Sequence, residues 1–194
     1  LNSLKRKLVI IAASTGGPGH IQRILSSLGS DFSASIVIAQ HMGEEYLPSF
    51  ARALDEKCSL SVGLVQDGGA LLRSRVYVCS GFCRFVFEKG VLKMEKKDSL
   101  KNGFNPDIDT LVRSAYELKD NFSLLGVILT GIGSDGALGC SKLLDAGGRC
   151  LAESQKSAVI FGMPKNAKEI NDKVELMDLE KIIDEVVKFG NLVG

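Results

Sequence analysis

The 194-residue chain contains no tryptophan, and aromatic residues make up only 6% of it. Surfaces that stack nucleic-acid bases need such side chains. Charge of one sign is missing too: 24 basic and 23 acidic residues leave a net +1, which gives no field for nucleic acid or an anionic membrane. No apolar run approaches the ~20 residues that cross a bilayer, so no membrane insertion is expected. A signal peptide is not read either, because Lys5, Arg6 and Lys7 precede an apolar run of only six residues. Histidine occurs twice, as His20 and His41. The five cysteines, Cys58, Cys79, Cys83, Cys140 and Cys150, are odd in number and follow no disulfide rhythm. Cys79 and Cys83 have no second pair to complete a zinc site, so all five are read as reduced, packed thiols of a cytoplasmic protein, with no metal.

What the chain does have is 45% hydrophobic residues over a length that suits one domain. The stretch Leu8 to Ala13 is uninterruptedly apolar, the mark of a strand buried on both faces. Ser14, Thr15, Gly16 and Gly17 break it, and Pro18 stands where a first helical residue loses nothing by lacking an N–H. Ile21, Ile24, Leu25 and Leu28 then recur at helical spacing. Such a turn cradles a phosphate on its backbone N–H groups, or holds a nucleophilic serine with those groups aimed at an oxyanion. The turn by itself leaves both readings open.

Along the rest of the chain, strands are expected at Ile36–Ala39, Leu60–Val65, Leu124–Thr130, Arg149–Glu153, Ala158–Phe161 and Val174–Met177. Helices are expected near 44–57, 106–119, 137–146, after Pro164, and from Leu179 to Phe189. Between Asp67-Gly68-Gly69 and the charged connection of Lys96, Lys97, Asp98 and Lys101 lies a β-rich insert, Val76–Cys79, Phe85–Glu88 and Val91–Glu95, whose last two segments alternate as a hairpin does. Strands and helices alternate almost throughout. The expectation is one α/β domain over residues 8–190, doubly wound, with a mainly parallel sheet, helices on both faces and a β-hairpin insert; residues 1–7 are read as a linker remnant.

Three buried strands end in polar residues, Ser14, His41 and Asp135, which the sequence separates by 27 and 94 positions. In a doubly wound parallel sheet the strand carboxyl ends share one edge, so these side chains can meet. A serine hydroxyl is a weak nucleophile until an imidazole takes its proton and a carboxylate orients that imidazole. The phosphate reading weakens here. A dinucleotide site wants an acidic residue about 20 positions after its glycines, where this chain has Gln40-His41-Met42. His20, one turn into the first helix, is read as a surface or packing residue.

The segments ASTGGP (Ala13–Pro18), QHM (Gln40–Met42), LTGIGSDGALG (Leu129–Gly139) and FGMPKNA (Phe161–Ala167) resemble the catalytic domain of the chemotaxis protein-glutamate methylesterases. The resemblance implies a serine hydrolase that removes methyl esters from glutamate side chains on the cytoplasmic helices of methyl-accepting chemotaxis receptors, and that deamidates receptor glutamines. It puts the nucleophile, base and orienting acid on Ser14, His41 and Asp135, with oxyanion donors at the backbone N–H of Thr15 and Ile132. No cofactor is implied. In this family a receiver domain usually precedes the catalytic domain; either one lies outside this chain or this member works without it.

Departures from the family pattern fall around the site. Ile132 stands where methionine is usual, Arg84 where histidine is usual, Asn105-Pro106-Asp107 where Arg-Pro-Ser is usual, and Gly43 where proline is common. A substrate rim of Arg84, Glu44, Glu45 and Asn105 is expected beside Ser14. Two other readings are a receptor-binding module that has lost turnover and a general small-ester hydrolase.

Overall fold

The computed structural model of the chain describes residues 5–98 and 105–191. Lys101 of the charged connection lies outside the described residues. The main sheet has seven strands: β1 (Arg6–Ala13), β2 (Ser35–Gln40), β3 (Ser61–Leu64), β4 (Arg75–Val78), β7 (Phe122–Ile128), β8 (Arg149–Glu153) and β9 (Glu175–Met177). Their order is β3-β4-β2-β1-β7-β8-β9, and every pairing among them is parallel. An antiparallel hairpin, β5 (Phe82–Glu88) and β6 (Val91–Lys97), stands apart from it.

β1 is the centre of the sheet and shows why an unbroken apolar run is needed there. Val9, Ile11 and Ala13 point into one core layer, and Leu8, Ile10 and Ala12 into the other. The first layer is closed by α1 (Gly17–Ser26), α2 (Leu47–Asp55) and α6 (Leu179–Asn191); the second by α3 (Ile108–Ser114), α4 (Ala137–Asp145), α5 (Met163–Ile170) and the hairpin. Each side chain of the run is thus removed from water, worth roughly 1.5–3 kcal/mol for a Val, Leu or Ile. The strand begins at Arg6, two residues before the apolar run. Arg6 is accommodated because its guanidinium lies 4.7 Å from the Phe122 ring centroid and donates to the Gly90 carbonyl.

Three expectations are corrected. Arg75–Val78 belongs to the main sheet, between β2 and β3, rather than to an insert, so the insert is the hairpin alone. Ala158–Phe161 is not a strand. Its backbone bonds go to Thr130 Oγ1, which accepts from Ile160 N at 2.8 Å, and to Gly131, which forms one isolated bridge with Phe161. Cys140 of α4 and Cys150 of β8 are not separate thiols but form a disulfide, because helix and strand pack face to face across the short connection between them. Among the described residues no helix is long and apolar enough to cross a membrane.

Candidate active site

The chain leaves β1 toward one flank of the sheet through β2, β4 and β3, and returns to its other flank at β7. The carboxyl ends of β1 and β7 therefore face a switch point, where a parallel sheet opens a crevice. Ser14 stands at that place. Its N–H donates to the Thr130 carbonyl at 3.0 Å, and its own carbonyl accepts from Gly17 N at 2.8 Å as α1 begins. The loop after β7 comes so close that a Cβ on Gly131 would lie 2.7 Å from Ser14 Cβ and 2.4 Å from Met163 Sδ, so only glycine fits.

His41 follows β2, and its N–H extends the ladder to the Ala13 carbonyl at 2.9 Å. Its imidazole is largely buried, and Nε2 lies 2.7 Å from Asp135 Oδ2. Asp135 is buried before α4. Its Oδ2 also accepts from Ile108 N at 3.0 Å, and its Oδ1 from Asp109 N at 2.8 Å, so the carboxylate closes the first turn of α3. Burial by itself raises the proton affinity of Asp135. The hydrogen bonds from His41, Ile108 and Asp109 and the His41 charge outweigh it and hold the carboxyl below its ordinary value. Asp135 is therefore an anion at neutral pH.

The imidazole is turned opposite to the arrangement expected of a serine, histidine and aspartate set in which Nε2 faces the serine. Here Nε2, at the tip of the ring, meets Asp135. The reason is where the partners come from. Ser14 sits next to the Ala13 carbonyl that His41's own backbone holds, near the root of the ring, whereas Asp135 reaches in from the α3–α4 junction. Ser14 and His41 line one open cleft of about 480 Å³ with Thr15, Met42, Gly43, Asn105 and Ile132. The N–H groups of Thr15 and Ile132 donate to no protein acceptor among the described residues.

The expected rim residues separate. Asn105 lines the cleft, where its Oδ1 accepts from Gly81 N and its carbonyl from Met42 N, tying two loops together. Glu44 and Glu45 are exposed in a short 3₁₀ turn directly after Gly43. Arg84 is not among the cleft-lining residues; it points out from β5 and is paired with Glu95 across the hairpin. His20, on α1, bonds through Nδ1 to the fully buried Glu153. Cys79 and Cys83 are buried, and Cys83 Sγ donates to the Ser80 carbonyl at 3.3 Å.

Two residues escaped the sequence reading. Asp109 accepts from Gly139 N in α4 at 2.7 Å while Asp135, just before α4, holds Asp109's own N–H, so α3 and α4 exchange carboxylates. Burial, with Asp135 nearby, raises the Asp109 carboxyl above its ordinary value. Its signal was an acidic residue in the first turn of a helix, which is too common to single out. Gln40, read in the sequence as a strand end and as part of the QHM segment but given no role, places its amide beneath both Ser14 and His41.

The sequence matches the CheB methylesterase family over residues 9–186. It is 37% identical over 178 residues to protein-glutamate methylesterase/protein-glutamine glutaminase 2 of Nitratidesulfovibrio vulgaris, covering 90% of this chain and 48% of that one. It is 39% identical over 163 residues to protein-glutamate methylesterase/protein-glutamine glutaminase 1 of Oleidesulfovibrio alaskensis, covering 82% and 44%. The crystal structure of the Thermotoga maritima CheB methylesterase catalytic domain superposes with a TM-score of 0.87 at 31% identity, covering 95% of this chain and 99% of that one. The chain spans about half the length of the curated relatives it matches.

Proposed function

The chain belongs to the CheB methylesterase family, and we propose that it hydrolyses methyl esters of glutamate side chains on chemoreceptor cytoplasmic helices and deamidates glutamines there by the same acyl transfer. The paired activities are those in the names of its relatives. One observation carries the reading: the His41–Asp135 hydrogen bond of 2.7 Å stands at a cleft that Ser14 and His41 line together.

In this mechanism Nε2–H of His41 donates to the Asp135 carboxylate, which leaves the lone pair on Nδ1. Nδ1 takes the proton of Ser14 as Oγ attacks the ester carbonyl. The oxyanion falls to the N–H groups of Thr15 and Ile132, and a donor of this kind is typically worth about 10²–10³ in rate. Asp135, anionic and desolvated, stabilises the imidazolium. His41 then protonates the departing methoxide to methanol or, when the substrate is an amide, the amide nitrogen of the intermediate, which leaves as ammonia. Water, deprotonated in turn by Nδ1, cleaves the glutamyl ester of Ser14 and regenerates the enzyme. Side chains and backbone of this chain supply every step.

A side-chain ester on a helix has to be brought to a fixed nucleophile, so the receptor helix lies across the carboxyl edge of the sheet. Glu44, Glu45 and Asn105 border it there. Arg84 can join them because an exposed ion pair such as that with Glu95 exchanges partners at little cost. Residues 8–190 are the catalytic domain in this reading, a receiver domain outside the chain is its regulator, and the setting is the cytoplasm where receptor helices are met. Methanol release from a methylated receptor cytoplasmic fragment tests the proposal. The chain should release methanol and Ser14→Ala should not; no release by the parent chain overturns it.

A further inference from the structure

We propose that Gln40 is a positioning residue that locks nucleophile and base together through their backbones; the inference rests on the role just given to Ser14 and His41. Gln40 is the last residue of β2 and is 2% exposed. Its Nε2 donates to the Ser14 carbonyl at 2.9 Å and to the His41 carbonyl at 3.0 Å. Both neighbours are acceptors, so the group between them has to be the NH₂ of the amide and not its oxygen. One nitrogen thus has both protons on the two residues that carry the chemistry, 27 positions apart in sequence.

The rest of the surroundings give no other reason for an amide at this position. Gln40 stands on the face of β2 whose previous members, Ile36 and Ile38, are core residues. Among the described residues its buried Oε1 has no hydrogen-bond partner, an arrangement that is destabilising by itself and that an apolar side chain of the same shape would avoid. Room for it is made by Gly17, where a Cβ would lie 2.2 Å from Oε1. The β1–β2 ladder ends one step away, with His41 N on the Ala13 carbonyl. Beyond that point Ser14 turns into α1 and His41 turns into the loop toward α2. Gln40 holds the two chains where the ladder no longer does, and small displacements of this kind matter, since about 1 Å of misplacement can cost about 10²-fold in rate.

Two variants reach the same bonds from different sides. Gln40→Met keeps the volume and removes both donors; Gly17→Ala leaves the amide chemistry intact and forces Oε1 away. The added Cβ also meets Ala13 Cβ at 2.5 Å, so Gln40→Met carries the test and Gly17→Ala bears on it only through whether activity is left unchanged. Both are compared with the parent for kcat and KM of methanol release, for the rate at which a fluorophosphonate labels Ser14, and for unfolding by denaturant. The parent has to release methanol and to be labelled at Ser14; failure of either overturns the functional reading itself. With an active parent, each variant should lose about 10²-fold in kcat, with KM within about twofold and a matching loss in labelling rate per folded molecule. A folded Gln40→Met protein that keeps kcat and labelling within about threefold of the parent overturns the role of Gln40. Should Gln40→Met not fold, an unchanged Gly17→Ala protein does so.

Discussion

Replacing Asp135 by asparagine removes one charge and almost no volume, and the hydrogen bonds around it decide the outcome. Oδ2 takes two donors, His41 Nε2 at 2.7 Å and Ile108 N at 3.0 Å, while Oδ1 takes Asp109 N at 2.8 Å. Asparagine has one oxygen for these two places. With the oxygen on Asp109 N–H, its NH₂ faces Ile108 N–H and the ring, so the imidazole has to accept at Nε2 and keep its proton on Nδ1. That is the wrong tautomer for taking the proton of Ser14. With the amide reversed, NH₂ meets the Asp109 N–H instead, and the imidazolium loses its counter-charge. Either way kcat for methanol release should fall by about 10⁴, or about 5.5 kcal/mol on the barrier. Stability should fall by about 1–3 kcal/mol, because one buried N–H loses its acceptor. The direction of the pH dependence is set by the same bonds. The Asp135 carboxyl lies below its ordinary value in the fold, so the stability it contributes is present above the unfolded aspartate value of about 3.9 and is lost as pH falls through the folded value. The gap in denaturation midpoint between parent and variant should therefore be full at pH 7 and close in acid. A folded Asp135→Asn protein that keeps more than about a tenth of the parent kcat would refute the role of the carboxylate.

Ser14→Ala should release no methanol at an unchanged denaturation midpoint; retained turnover would place the nucleophile elsewhere. Asp109→Ala should cost about 1 kcal/mol, as losing a helix-terminal acceptor does, because Gly139 N loses its partner. Burial raises the Asp109 carboxyl, so its contribution to stability is full below the unfolded value and falls as pH rises through the folded one; the deficit, read from melting curves, should be larger near pH 3 than at pH 7, and the reverse trend would refute this. Arg84→Ala should raise KM for a methylated receptor fragment several-fold while the rate on a small soluble ester stays within about twofold. Equal loss on both substrates would put Arg84 in the machinery, and no change on either would make it a bystander.

The run Leu8–Ala13 by itself determined a strand buried on both faces, and Ser14 to Pro18 determined that a helix comes directly after it. Alternating strands and helices then implied a parallel sheet, and a parallel sheet has one carboxyl edge. That much brings Ser14, His41 and Asp135 to the same side without any side-chain coordinates. These readings succeed because apolar periodicity and turn chemistry act over a few residues, and because chain direction in a parallel sheet is fixed by connectivity. Tertiary structure alone decided that Val76–Val78 enters the main sheet, since a short apolar strand carries no mark of its neighbours. It alone turned Ala158–Phe161 out of the sheet, where a Thr130 hydroxyl supplies the acceptor a ladder would have used. The ring of His41 presents Nε2 to Asp135 because of the direction from which the α3–α4 junction approaches, and Arg84 is held by Glu95 because of hairpin register. Gln40 and Asp109 reach the backbones of Ser14 and Gly139, which sequence distance hides from them. Such bonds depend on which atoms converge in space, and residue type limits only what they can do once they are there.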